Sequence, residues 1–243
     1  MGMDVVDYDI RGAEMQFVEV ELDPGEAAIG EAGSMMFMDT GIEMDTVFGD
    51  CSKQQGGLFG KLLGAGKRRV AFAAPYPGKI LPMNLAELGG TLMCQKDAFL
   101  CAARGVSLGI AFQKRLGAGF FGGEGFIMQK LEGDGWVFVQ MGGTVIERTL
   151  APGEVLHVDT GCVAAFTPSV NFDLESVGGV KSMLFGGEGV FFARLTGPGK
   201  VWIQSLPFSR LAGRMMQAAM GRGQNRGEGS VLGELGDLIG GNR

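Results

Sequence analysis

The sequence has a single histidine, His157, in 243 residues. A His-rich zinc centre is therefore excluded, because such sites take several ligands from imidazole rings. Cysteine is nearly as scarce. Cys51, Cys94, Cys101 and Cys162 form no CxxC pair, so neither paired zinc thiolates nor a redox dithiol is expected. With no secretory signal at the N-terminus, these cysteines read as reduced thiols of a cytoplasmic protein, peripheral to a membrane at most. No apolar run approaches the ~18 residues that a membrane-spanning helix needs. Cations are also in deficit: 21 Lys and Arg face 27 Asp and Glu, giving a net charge of −6 and a pI near 4.9. Phosphate recognition depends on Lys and Arg releasing counterions, so nucleic acid is not the expected partner. No cofactor is expected, since no motif for one survives inspection below.

Glycine, by contrast, is abundant, at 44 residues. It does not follow a G-X-Y period, which rules out a collagen-like chain. Spread between short apolar runs, it implies many tight turns between many short strands. Glu14 to Leu22 alternates polar and apolar residues, as a strand with one wet face does. Val137-Phe138-Val139, Val190-Phe191-Phe192 and Val201-Trp202-Ile203 are unbroken β-rich runs, as in strands buried on both faces. Gly133-Asp134-Gly135 and Gly197-Pro198-Gly199 sit where hairpin turns require positive φ.

The chain also repeats itself. Phe121-Gly122-Gly123-Glu124-Gly125 returns as Phe185-Gly186-Gly187-Glu188-Gly189, and 10 of 20 positions agree between 121–140 and 185–204. Leu22-Asp23-Pro24-Gly25-Glu26 is echoed by Leu150-Ala151-Pro152-Gly153-Glu154, and Gly33 then falls on Gly161. Self-similarity of this kind denotes stacking of one small unit. Taking Pro24-Gly25, Pro77-Gly78 and Pro152-Gly153 as the frame gives units over 1–75, 76–150 and 151–208. The expected fold is all-β: three pseudo-repeats, each a small sandwich or barrel of double-stranded β-helix type, around a pseudo-threefold axis. Residues 209–243 form a helical and Gly-rich extension. Phe208, Leu211, Ala212, Met215, Met216 and Ala219 fall at helical spacing, and Ser230 could cap a second short helix.

Several motifs look like chemistry. Asp39-Thr40-Gly41 and Asp159-Thr160-Gly161 resemble the paired loops that let two aspartates share a proton. The repeat offset carries Pro24 to Pro152 and would carry Asp39 to Thr167, so the triplets are out of register. Strand-ending turns explain them more simply, and an Asp-dependent hydrolase using Asp39 or Asp159 is the least favoured function. Gly117 to Gly122 spells G-x-G-x-x-G but is followed by β-type sequence, not a helix. Gly64-Ala65-Gly66-Lys67 and Gly197-Pro198-Gly199-Lys200 lack the Ser or Thr of a P-loop. His157 alternates with apolar neighbours, as a wet-face strand histidine does. Residues 56–69 hold Leu58, Phe59, Leu62 and Leu63 among the cations Lys61, Lys67, Arg68 and Arg69. Two readings stay open: a short amphipathic helix whose cations bind a membrane surface, acidic partner or small ligand, or a long loop with solvated cations. Glu124 and Glu188 are either turn carboxylates or an acidic site between units.

Pro77-Gly78, the two Phe-Gly-Gly-Glu-Gly runs, Val158-Asp159-Thr160-Gly161 and the stretch Gly197 to Gln204 together resemble the altered-inheritance-of-mitochondria family, over roughly residues 5–206. The resemblance implies a β fold of three similar units akin to the tryptophan RNA-binding attenuator subunit, often in a ring-like assembly, with no established catalytic residues. The expected function is a non-enzymatic scaffold or interaction protein that forms a homo-oligomer, a trimer by preference. The alternative is a small-ligand or membrane-surface binder using the four cations.

Overall fold

Short β-branched and aromatic runs broken by glycine leave the backbone one economical way to satisfy its N–H and C=O groups, which is lateral pairing. The protein's structure is a computed structural model, and it describes residues 6–50, 53–62, 66–114, 126–176 and 191–221. Strands follow one another in chain order. The first seven are β1 (Asp7–Arg11), β2 (Phe17–Leu22), β3 (Ala27–Gly30), β4 (Met35–Met38), β5 (Ile42–Asp50), β6 (Lys53–Leu62) and β7 (Arg68–Ala73). The next six are β8 (Gly78–Asn84), β9 (Thr91–Gln95), β10 (Phe99–Ala103), β11 (Ser107–Lys114), β12 (Phe126–Glu132) and β13 (Trp136–Gly142). The last six are β14 (Val145–Leu150), β15 (Val155–Asp159), β16 (Val163–Phe166), β17 (Asn171–Ser176), β18 (Phe191–Thr196) and β19 (Gly199–Gln204). Helix α1 (Phe208–Gly221) is the one α-helix among the described residues. The chain divides into two compact units, 1–210 and 211–243. The second helix expected after Ser230 lies outside the described residues.

The expectation of a nearly all-β chain holds. All pairing is antiparallel, in four sheets: β1-β2-β7-β4, β5-β6-β3-β10-β13-β8, β11-β12-β9-β16-β19-β14 and β15-β18-β17. Among the described residues no sheet closes on itself, so no barrel forms there, and the pairing does not establish a pseudo-threefold axis. The pairs themselves recur. β2·β7, β3·β6, β5·β6 and β4·β7 are followed by β8·β13, β9·β12, β11·β12 and β10·β13, then by β14·β19, β15·β18, β17·β18 and β16·β19. Two further pairs, β3·β10 and β9·β16, fuse strands from successive sets into the six-stranded sheets.

Three apolar cores lie between the four sheets. Val18, Val20, Leu22 and Phe72 meet Leu100 and Phe138 in the first. Leu92, Phe99, Val137 and Val139 meet Trp202 in the second. Phe126, Met128, Leu195 and Val201 make the third. β13 therefore turns Phe138 to one core and Val137, Val139 and Met141 to the next. This is the two-sided burial that its unbroken apolar run predicts. One exchange of volume is visible in the first core: a Cβ on Gly30 would run into the ring of Phe72.

The hairpin glycines behave as predicted, but not at matching places. Gly133 takes φ +150° in the first hairpin, whereas Gly199, at φ +147°, does so in the second. Pro77-Gly78 also differs from the other Pro-Gly turns. It leads into β8, whereas Pro24-Gly25 and Pro152-Gly153 link the first strand of a set to its second. Gly123 and Gly187 fall outside the described residues, as do Glu124 and Glu188.

The interior holds a well-connected polar group. Gln204, 2% exposed, donates through Nε2 to Gln95 Oε1 at 2.9 Å and to the Gly161 carbonyl at 3.1 Å. Its Oε1 accepts from the Gly142 N–H at 2.8 Å. Gln140, on the adjoining sheet, donates to the Tyr76 carbonyl, but its Oε1 is buried without a partner. Gln204→Ala therefore strands several buried groups, at about 1–3 kcal/mol for each one left unpaired. We expect the urea midpoint of Gln204→Ala to fall by the equivalent of roughly 2–4 kcal/mol. Gln140→Met, which also removes an unpaired oxygen, should lose distinctly less.

Candidate functional site

A concentration of charge sits on the outer face of the first sheet. Alternation along β1 sends Tyr8 and Ile10 to the core and Asp7, Asp9 and Arg11 outward. β2 does the same with Val18, Val20 and Leu22 inside and Glu19 and Glu21 outside. The register sets Asp7 beside Glu21, and Glu21 beside Arg69. A recess of about 140 Å³ opens there, lined by Asp7, Asp9, Arg11, Glu19, Glu21 and Arg69 among others.

These charges are paired with one another. Arg11 reaches Glu19 at 2.6 Å and Asp9 at 2.8 Å. Lys67 Nζ lies 2.7 Å from Glu21, 3.3 Å from Asp7 and 3.9 Å from Asp23. Arg69 Nε sits 3.5 Å from the other Glu21 oxygen. The hydrogen bond from Lys67, with Arg69 behind it, holds the Glu21 carboxyl below the usual carboxylate range. Glu21 and then Asp7 and Asp23 hold the Lys67 ammonium well above its ordinary value.

The four cations singled out in the sequence are thus placed as follows. Lys67 and Arg69 join the acidic ladder. Arg68 donates to the carbonyls of Thr40 at 3.1 Å and Lys67 at 2.9 Å. Lys61 lies on β6, opposite Ala27 and Glu43. The segment that carries it is neither the short helix nor the long loop expected: residues 53–62 form a strand held by β5 on one side and β3 on the other. Three glycines in that stretch weaken a helix by about 1 kcal/mol each, and two flanking strands satisfy its backbone instead. The sequence showed the alternating acids of β1 and β2, but not their partners, because ion pairs across strands depend on register.

The two Asp-Thr-Gly triplets end strands in different sheets. Asp39 Oδ2 accepts the Arg69 N–H at 2.9 Å, and Gly41 takes φ +96°. Asp159 Oδ1 accepts the Gly161 N–H at 3.0 Å, while Oδ2 faces Arg210 at 3.4 Å. Asp159 is engaged in its own turn, whereas Asp39 bonds the backbone of the neighbouring strand β7. His157 stands on the wet face of β15, 53% exposed, 3.2 Å from Glu175, which also faces Arg194. On the third sheet, Glu147 accepts from Lys200 at 2.8 Å and from the Trp202 indole at 3.0 Å. Those bonds hold its carboxyl below the ordinary range. Burial pushes the Cys94 thiol up to about 12 and the Cys101 thiol up as well. Among the described residues, no three His, Cys, Asp or Glu side chains cluster as metal ligands would. No helix there is long and apolar enough to cross a membrane.

Two expectations follow. Glu21 titrates lower in the folded chain than in the unfolded one. Its pairing therefore stabilises above the ordinary carboxylate value of about 4.3 and is lost as pH falls through the folded value. The melting-temperature gap between wild type and Glu21→Gln should be small but positive at neutral pH, close in acid, and shrink in high salt. For the thiols, a maleimide applied to the native protein should leave Cys94 and Cys101 unmodified by mass spectrometry, and reach both after denaturation, because only exposed thiolate reacts.

An uncharacterized protein of Streptococcus pyogenes serotype M6 is 26% identical over 226 residues, covering 84% of this chain and 87% of its own. The crystal structure of a second Streptococcus pyogenes protein, SPYM3_0169, superposes with a TM-score of 0.72 at 20% identity, over 88% of this chain and 99% of that one. That likeness shows a common fold. Residues 8–206 match the family described as Mitochondrial biogenesis AIM24, and the chain belongs to that family.

Proposed function

We propose that this protein is a non-enzymatic scaffold or interaction protein, made of three like β units and working as a homo-oligomer. The observation that carries this reading is the recurrence of one pairing scheme through β2–β7, β8–β13 and β14–β19. The spacing supports it. β3, β4 and β5 begin at 27, 35 and 42, whereas β9, β10 and β11 begin at 91, 99 and 107, and β15, β16 and β17 at 155, 163 and 171. A step of about 64 residues relates each trio to the next. On this reading the second unit gives way to the third at Gly143, not after Leu150, since β14 pairs with β19.

The polar side chains also favour a structural role. Gln204 ties two units together inside, and the charged ladder outside is spent on its own neighbours. A membrane-surface role through Lys61, Lys67, Arg68 and Arg69 draws less support, because Lys67 and Arg69 face carboxylates and Arg68 faces carbonyls. Such an anchor would be a cationic surface free to meet anionic headgroups.

Sedimentation velocity and affinity capture from the native host test the proposal. We expect an oligomer at micromolar concentration, a trimer in the simplest case, and a stoichiometric protein partner. A monomer would end the assembly part of the reading. Binding to anionic vesicles that disappears when all four cations become Ala would favour the surface-binding alternative.

A further inference from the structure

The family match ends at residue 206, and helix α1 (Phe208–Gly221) lies wholly beyond it. At 3.6 residues per turn, Phe208, Leu211, Ala212, Met215 and Ala219 share one face of this helix, with Met216 at its border. Arg210, Arg214 and Gln217 fall on the opposite face. A surface helix of a globular protein turns such an apolar stripe to the core. Here much of it meets water instead. Phe208 is 46% exposed, Met216 58% and Met215 65%. The β body holds the first turn: the Phe208 ring lies 5.5 Å from that of Tyr76, and Arg210 lies 3.4 Å from Asp159.

The charge around this face is of one sign. Between Gly189 and Gly227 the sequence has no Asp or Glu, in a chain with 27 of them. The same stretch carries Arg194, Lys200, Arg210, Arg214, Arg222 and Arg226. Arg194 and Lys200 face Glu175 and Glu147 on the sheets, and Arg210 faces Asp159. Arg214, on the polar side of α1, is exposed, and Arg222 and Arg226 follow with no acid before Glu228. This is the reverse of the setting of Lys67 and Arg69, which sit within a ladder of carboxylates.

An exposed apolar face bordered by cations selects its partner. Nucleic acid would neutralise the arginines but leave Met215 and Met216 in water. A protein groove takes in an amphipathic helix along its length, whereas the first turn of α1 is already set against Tyr76 and Asp159. A bilayer surface needs one face alone. Methionine side chains are unbranched and adaptable, and cations on the polar side of such a helix meet anionic headgroups.

We infer that α1 is an interfacial helix that lays Phe208, Met215 and Met216 into the surface of an anionic lipid bilayer, with Arg214 among the headgroups. The contact holds the β body at a membrane that the chain does not cross through α1. It is separate from Lys61, Lys67, Arg68 and Arg69, and it goes beyond the scaffold reading without depending on assembly.

Co-sedimentation of the full chain with vesicles of phosphatidylcholine, with and without phosphatidylglycerol, tests it. The chain should pellet with the mixed vesicles, far less with phosphatidylcholine alone, and be released as salt rises. Met215→Glu/Met216→Glu should abolish pelleting and leave sedimentation velocity and circular dichroism unchanged, because both side chains are exposed. Arg214→Gln should weaken binding by about fivefold, the worth of one cation near an anionic leaflet. Met215→Trp should add an emission band that moves to the blue with mixed vesicles. Changing Lys61, Lys67, Arg68 and Arg69 together to Ala should leave pelleting intact. Pelleting lost in that variant but kept in Met215→Glu/Met216→Glu assigns the lipid to those cations and overturns the inference. A wild type that stays in the supernatant overturns it too. Binding that appears only after residues 228–243 are removed assigns the face to the chain's own tail and overturns it. An oligomer that dissociates in Met215→Glu/Met216→Glu assigns the face to a second copy, with the same result. A monomer that binds mixed vesicles through α1 ends the assembly reading and leaves this one standing.

Discussion

Everything in this fold depends on two short antiparallel contacts, β3 with β10 and β9 with β16. Only a few residues pair at each, yet each contact joins two three-stranded arrays into one six-stranded sheet. Because each shared sheet is apolar on both sides, it serves one core on one face and the next core on the other. Burial at about 25 cal/mol per Å² is thus collected twice from the same strands. Phe138 and Val139 are adjacent in sequence and belong to different cores. This explains why a chain with so many glycines and such short strands can have a substantial interior.

That economy sets where polarity can go. Inside, a polar group is tolerated only where its hydrogen bonds close, as those of Gln204 do across the Gly142 and Gly161 backbones. Outside, the end sheet has one wet face, and its acids and cations neutralise one another along the register. The charge on this surface reads as a consequence of strand pairing. Partners of Lys67 and Arg69 come from β1, β2 and the turn after β2, all distant in sequence.

Much of the fold was legible in the sequence because β periodicity and turn chemistry are local. Glu14 to Leu22 alternates, and Phe17–Leu22 within it form β2; Val137-Phe138-Val139 is unbroken and sits between two cores. The family resemblance, carried by Gly-rich runs and the stretch from Gly197 to Gln204, was legible for the same reason. Other features were not. The Lys61 segment does not read as a strand, because three glycines among leucines look like a loop or weak helix until two neighbouring strands are known. Pro77-Gly78 reads as equivalent to the other Pro-Gly turns because a dipeptide carries no information about which strands it joins. The partners of the four cations were invisible, since register across strands is a property of pairing and not of spacing. The position of Asp159 beside Arg210 likewise needs the folded chain.

The clash awaiting a side chain at Gly30 has a consequence for how such a repeat can change. Its counterparts at the same sheet position are Cys94 and Val158, which bear side chains, and the residues that match Phe72 in those sets are the smaller Val139 and Ile203. One unit keeps its volume on β7 and the others keep theirs on the strand facing it. The pairing scheme recurs from set to set while the filling of this space changes strands: transplanting one strand alone would bring two fillings, or none, to a space made for one.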